Sequence, residues 1–117
     1  IVEDDKFLRD LASQKLESEG FKLNSATTGT EALEYLEKNP RPDIIVLDLI
    51  LPGLSGFEVL EKVKANPNLK DVPVLILSNL GQEEDIEKAK KLGAVDYLVK
   101  AHFSFAEIIK KIREIIG

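Results

Sequence analysis

Apolar positions recur along this chain in two rhythms. Leu8, Leu11, Ala12 and Leu16 fall at helical spacing, and Gly20 suits the C-terminal cap of that helix. Phe21 to Ala26 reads as a strand. Thr28 and Glu31 have capping-box spacing ahead of a stripe of Ala32, Leu33 and Leu36, and Asn39-Pro40 ends that helix. Asp43 to Leu47 is a nearly continuous apolar run, the mark of a strand buried on both faces. Ser55 and Glu58 repeat the capping box before Phe57, Leu60 and Val63, and Asn66-Pro67 stops the helix. Val72 to Leu77 is a second buried strand. Glu83 to Leu92 is a polar helix with a thin stripe of Ile86, Ala89 and Leu92. Val95 to Val99 is a short strand. Ser104 and Glu107 open a last helix with a stripe of Phe105, Ile108, Ile109, Ile112, Ile115 and Ile116.

With Ile1-Val2 as a very short first strand, the order is a strand-helix unit repeated five times. Such alternation predicts a parallel sheet with helices on both faces, joined by right-handed crossovers. Residues 1–117 fit one domain. The chain has no methionine and opens just before an acidic cluster, so we expect the first strand to lack a few native residues. Its last helix ends at Gly117, so no output domain is expected within it.

Composition narrows the function. A net charge of −5 argues against direct nucleic-acid binding, which uses a clustered basic face. There is no cysteine, so disulfides and thiolate metal sites are excluded. The single histidine, His102, cannot form a His-rich zinc site. No apolar run approaches the roughly 20 residues of a membrane-spanning helix, and no signal-peptide pattern is present. A cytoplasmic protein without a membrane partner is the expectation.

The polar residues that break the strands are not scattered. The first strand ends at Glu3-Asp4-Asp5, the third at Asp48, the fourth at Ser78-Asn79 and the fifth at Lys100. In an open α/β sheet, ligands bind at the carboxyl ends of the strands, and all of these lie there. Glu3, Asp4 and Asp48 would converge. Two like charges about 4 Å apart repel by about 4 kcal/mol at an effective dielectric of about 20. Such a cluster raises a pKa or binds a cation. An all-oxygen pocket with few protein ligands suits Mg²⁺. A lysine and a hydroxyl beside it would then bind an anion, which makes a set suited to phosphoryl transfer. Each residue alone has a plainer reading. Asp5 or Asp4 could cap the first helix, Asp48 and Ser78 could be structural, and Lys100 could be a solvated charge.

VEDD at 2–5, LDLILPGLSG at 47–56, LILSN at 75–79 and DYLVK at 96–100 closely resemble the receiver domain of two-component response regulators. The resemblance covers essentially the whole chain, in order and spacing. It implies a flavodoxin-like doubly wound three-layer sandwich with parallel strand order 2-1-3-4-5. It implies that Asp48 accepts a phosphoryl group from a histidine kinase or phosphotransfer protein. Mg²⁺ or Mn²⁺ would be held by Asp4, Asp48 and the carbonyl of Ile50, with Glu3 acting through water. Lys100 would pair with Asp48 and then with the phosphoryl oxygens. Ser78 would be the switch hydroxyl and Tyr97 the aromatic residue that moves with it. Asp5 would cap the first helix rather than bind metal. The face of the fourth helix, fifth strand and fifth helix, carrying Lys88, Lys91, Tyr97 and Lys110, would meet a downstream output domain or protein, or a second copy in a phosphorylation-dependent homodimer.

The chain also departs from that pattern. Receivers usually place proline after the lysine, often joined by a cis bond, whereas Ala101 follows Lys100. A cis bond before a non-proline residue costs about 2.5–4 kcal/mol, so either strain is retained or the loop differs, and the orientation of Lys100 depends on which. His102 reads as a loop residue rather than a base. Asn79 is bulkier than the small residue usual after the switch hydroxyl, which implies crowding of the phosphoryl group. Ile50 and Leu80 border that group in the family, and both are apolar, which implies a slow loss of the phosphoryl group to water. The leading reading is a phosphorylation-driven switch that assists its own chemistry but turns over no diffusible substrate. A receiver-like constitutive interaction module is the alternative. A phosphatase-type hydrolase would need a second acid soon after Asp48, and Leu49 to Leu54 supply none.

Overall fold

Three runs with almost no polar interruption become the strands of a parallel sheet: β1 (Ile45–Leu47), β2 (Val74–Ser78) and β3 (Asp96–Val99), in the order β1-β2-β3. Every residue of β1 and β2 is buried in the computed structural model, which describes residues 1–117. On the free side of β1, Val2 bridges in parallel to Leu47 and to Ala26. Read across, the sheet runs Ala26, Val2, β1, β2, β3, which is the expected order 2-1-3-4-5.

The two outer segments are shorter than their sequence suggests. Phe21 to Ala26 is not a continuous strand: its one bridge is at Ala26, through Glu3 N to Ala26 O at 3.0 Å and Ala26 N to Ile1 O at 2.9 Å, and the terminal amine of Ile1 adds a bond to Asn24 O at 2.9 Å. A strand needs a partner as well as propensity, and Ile1-Val2 offers a single bridge before the acids begin. Asp43 and Ile44 also lie outside β1, whose first ladder bond runs from Ile45 N to Pro73 O at 3.0 Å.

Alternation along the strands divides the interior into two cores. Ile45, Leu47, Val74, Ile76 and Tyr97 pack with Ala32 of α2 (Gly29–Lys38), with Val59, Leu60 and Val63 of α3 (Gly56–Ala65), and with Ala89 of α4 (Glu83–Lys91). Val46, Leu75, Leu77 and Leu98 face the other way, onto Leu16 of α1 (Lys6–Ser18) and Ile108, Ile109 and Ile112 of α5 (Phe105–Ile116). A period of two therefore sends successive strand residues to opposite helical layers.

Helix starts follow the capping signals. Ser55 and Ser104 each form the full reciprocal box with Glu58 and Glu107. Thr28 accepts from Glu31 N at 3.1 Å, but the Glu31 carboxylate takes the Thr27 hydroxyl instead of closing the box. Asp5 caps α1 by accepting from Leu8 N at 3.1 Å. After β3, Lys100–His102 form a 3-10 turn, and every peptide bond in the chain is trans. The loop after Lys100 thus differs from a cis-proline loop.

The stretch between Asp48 and α3 fixes the site. Pro52-Gly53 reverses the chain, with Gly53 at φ +74°. Gly56, the first residue of α3, donates its N–H to Leu49 O at 3.0 Å. A Cβ on Gly56 would lie 2.3 Å from Asp48 O and 2.4 Å from Leu49 Cα. Only glycine lets α3 dock onto the strand end that carries Asp48. Gly56→Ala is expected to cost about 3 kcal/mol, the upper end for overpacking, because both obstructing atoms are backbone. Chemical denaturation measures it, and a loss below about 0.5 kcal/mol, the range of an ordinary surface substitution, would refute the close-approach role.

Candidate functional site

Asp48 follows β1 directly, and Glu3 follows the Val2 bridge. Both carboxylates are buried, at 5% and 4% exposure, whereas Asp4 is exposed. Ligand oxygens of Glu3, Asp4 and Asp48 lie within 4.8 Å of one another. Lys100, the first residue past β3, reaches into this cluster from across the sheet. Its Nζ donates to Asp48 Oδ2 at 2.7 Å and also to Glu3 Oε1. Ala101 has therefore not displaced the lysine. The other oxygens are held by backbone: Ile50 N donates to Asp48 Oδ1 at 3.0 Å, and Asp5 N donates to Glu3 Oε2 at 3.2 Å.

Charge and burial oppose each other at this point. Burial pushes the Glu3 carboxyl above its ordinary range and Asp48 adds to the rise, while the Lys100 ammonium and Asp5 N–H pull it down. Burial disfavours the Lys100 cation, but Asp48 and Glu3 together outweigh it and hold the amine above its usual pKa. The two directions are compatible. Lys100 gains two anions, whereas Glu3 gains one cation but faces a second carboxylate. At neutral pH Lys100 is the internal counter-ion of the pair.

Ser78 ends β2 and is fully buried, with its Oγ accepting from Leu80 N at 3.3 Å. Tyr97 points inward from β3, at 8% exposure, and its hydroxyl donates to Leu80 O. Burial first, then the Asp85 and Asp48 charges, push that phenol up to about 12, so it is a neutral donor at pH 7. Asn79, next to Ser78, is exposed, so its bulk faces solvent. His102 is exposed in the turn after Lys100.

Lys88, Lys91 and Lys110 of the expected partner face are all exposed, and Lys88 also sits 4.3 Å above the Phe57 ring of α3. Its ammonium is drawn to the ring face. An ion pair on that face, Lys111 Nζ to Asp96 Oδ2 at 2.6 Å, joins α5 to β3 and carries no local sequence signal. Arg9 is also new: its Nη1 donates to Glu3 O at 3.1 Å and Asp4 O at 3.3 Å. Main-chain carbonyls are its partners, so no side-chain pattern announces it. A cavity of about 350 Å³ lies elsewhere, between Phe21–Ala26 and Pro40–Val46 beside the weakly paired sheet edge. Its lining is mostly apolar and includes none of the clustered acids.

The donor set tests well for a hard divalent cation. Three carboxylates converge with no sulfur or imidazole among them, which suits Mg²⁺ or Mn²⁺ over zinc. No helix is long and apolar enough to cross a membrane.

The response regulator receiver domain family matches residues 1–113. The DNA-binding dual master transcriptional regulator RpaA of Synechocystis is 35% identical over 99% of this chain, which spans 47% of RpaA. The chain thus spans about half the length of the curated relatives it matches. Among solved structures, the chemotaxis protein CheY4 of Vibrio cholerae superposes with a TM-score of 0.90 at 30% identity, covering 97% of this chain and 93% of that one. The receiver domain of the Pseudomonas aeruginosa sensor histidine kinase PA1611 superposes with a TM-score of 0.88 at 29% identity, over 99% of this chain and 93% of that one. That structure holds a magnesium ion coordinated in its active-site cleft. Fold, strand order and near-complete coverage agree, and the chain belongs to the response regulator receiver domain family.

Proposed function

We propose that residues 1–117 form a single receiver domain that works as a phosphorylation-controlled switch, with Asp48 as phosphoacceptor. The observation that carries this is the Lys100 ammonium on Asp48 Oδ2 inside a convergent acid cluster. In the transfer, a carboxylate oxygen of Asp48 attacks the phosphorus of a histidine-kinase or phosphotransfer-protein phosphohistidine. The P–N bond breaks as the acyl phosphate forms, and the imidazole leaves. Ile50 N–H, on Oδ1, fixes the rotation of the attacking carboxylate. Lys100 starts on Asp48 and moves with it onto the phosphoryl oxygens, so its charge follows the charge that builds up. Asp4, Asp48 and the Ile50 carbonyl, with Glu3 acting through water, would hold a divalent cation, Mg²⁺ or Mn²⁺, which would supply neutralisation of those oxygens.

Ser78 and Tyr97 read the result. Both are tied to Leu80 at rest, one through its amide and one through its carbonyl. Ser78 turns toward the phosphoryl group, the Leu80 segment follows, and Tyr97 loses its acceptor and changes rotamer. The surface of α4, β3 and α5, with Lys91, Lys110 and the Lys111–Asp96 pair, then presents its second form to an output domain, a partner protein or a second copy. The cycle has no diffusible product beyond phosphate, and the setting is the cytoplasm.

Incubation with acetyl phosphate and Mg²⁺ is expected to add about 80 Da, one phosphoryl group, by intact-mass spectrometry. The adduct should vanish in Asp48→Asn and without Mg²⁺. A folded wild type that takes no label would sink the switch and favour a constitutive interaction module.

Lys100→Met leaves two buried carboxylates without their cation and is expected to cost about 3 kcal/mol near neutral pH. The sign with pH is fixed. In the wild type the lysine pKa is raised, so its contribution is complete below 10.5 and fades as pH climbs through the raised value. In the variant, burial and the Asp48 charge still raise the Glu3 carboxyl while no ammonium lowers it, so stability should recover as acid protonates Glu3. Denaturation midpoints equal to wild type at pH 7 would rule out the counter-ion role.

The N–H groups of Ile50 and Leu80 hold Asp48 Oδ1 and Ser78 Oγ, and the side chains of both residues are apolar, so neither can orient an attacking water. The double variant Ile50→Asn/Leu80→Glu is expected to speed loss of the phosphoryl group about tenfold or more. Unchanged decay of the labelled species would show that water access is controlled elsewhere.

A further inference from the structure

Asp4 is the least restrained member of the acid cluster. It lies between the bridge at Val2, where Glu3 N donates to Ala26 O at 3.0 Å, and α1, which Asp5 caps. Neither its N–H nor its C=O takes part in a backbone hydrogen bond, and its side chain is exposed. The C=O of Glu3 also lacks a backbone partner. Both carbonyls converge on a single donor, Arg9 Nη1, at 3.1 and 3.3 Å.

Arg9 reaches them from a rigid base. Its N–H donates to Asp5 O at 2.9 Å, and its C=O accepts from Ser13 Oγ at 2.7 Å. It also stands at the fourth position of α1, near the positive end of the helix dipole, where a cation is disfavoured. The first turn of α1 contains no acid. Helix stability alone does not account for this arginine, whereas its two carbonyl contacts do.

We infer that Arg9 is a positioning residue, whose guanidinium ties the Glu3 and Asp4 carbonyls together and so sets the Asp4 carboxylate into the cluster that takes a divalent cation. The inference rests on the proposed Mg²⁺ site at Glu3, Asp4 and Asp48. It has a sign that a mere charge effect cannot share. Removing a nearby cation from an acid cluster strengthens Mg²⁺ binding by electrostatics alone. Removing the tie on the ligand's backbone weakens it.

The test is a calorimetric Mg²⁺ titration of the whole chain as wild type, Arg9→Gln, Arg9→Met and Arg9→Lys. Gln and Met are good helix formers, so α1 is preserved. Both are expected to weaken Mg²⁺ binding about tenfold, the scale of a lost outer-shell contact. Arg9→Lys retains a donor of the same charge and should recover most of the affinity. In acetyl phosphate labelling, the half-saturating Mg²⁺ concentration should rise in step, while the rate at saturating Mg²⁺ stays within about twofold. Unchanged or tighter binding in Gln and Met overturns the positioning role. A fall in the rate at saturating Mg²⁺ with affinity unchanged overturns it too. A wild type that binds no Mg²⁺ instead brings down the metal site itself, and the inference with it.

Discussion

Two carboxylates buried side by side need a cation, and the rest of this structure is arranged around the one that reaches them. Lys100 comes from the far end of the sequence, yet the parallel sheet delivers it to the same edge as Glu3 and Asp48. Strand order makes this possible. The Val2 bridge, β1, β2 and β3 lie in sequence across the sheet, so every strand end opens on one side. Were any crossover antiparallel, one of the acids or the lysine would sit at the opposite edge. The fold creates the electrostatic conflict and also resolves it.

Backbone groups do the finer work. Ile50 N–H holds one oxygen of Asp48, and Asp5 N–H holds one of Glu3, so each carboxylate has a fixed rotation before any ligand arrives. Gly56 lets α3 close on the strand end behind Asp48. Leu80 is shared by Ser78 and Tyr97 through its two backbone groups, which links a polar side chain at the site to an aromatic one in the core. An ordering of this kind needs no large side-chain network, because amides and carbonyls are available at every position.

Much of this was legible in the sequence, for a physical reason. A polar residue directly after a buried apolar run can only sit where the chain leaves the core, so Asp48, Ser78 and Lys100 announced their places. The Ser55 and Ser104 boxes were equally plain, since both halves of the motif are local. What could not be read depends on distant or main-chain partners. Phe21 to Ala26 has strand propensity, but its pairing is limited by what lies beside it. Lys88 is a surface lysine by pattern and leans onto Phe57 only because α3 packs next to α4. The contact of Lys100 with Glu3 as well as Asp48, and that of Arg9 with two carbonyls, leave no periodic trace.

The way α4 is built sets it apart from its neighbours. Gln82 gives it no side-chain cap, and Ala89 is its only buried residue. Its acids crowd the first turn and its lysines the last, so the dipole and solvent-exposed charges supply much of its local support. α5, by contrast, rests on three buried isoleucines. A helix held this lightly can tilt or slide without opening a cavity in the core, because little apolar surface leaves its place. The element bordering the Ser78–Leu80 segment is therefore the one whose displacement leaves the interior intact, and the sheet can stay rigid while its outer surface changes shape.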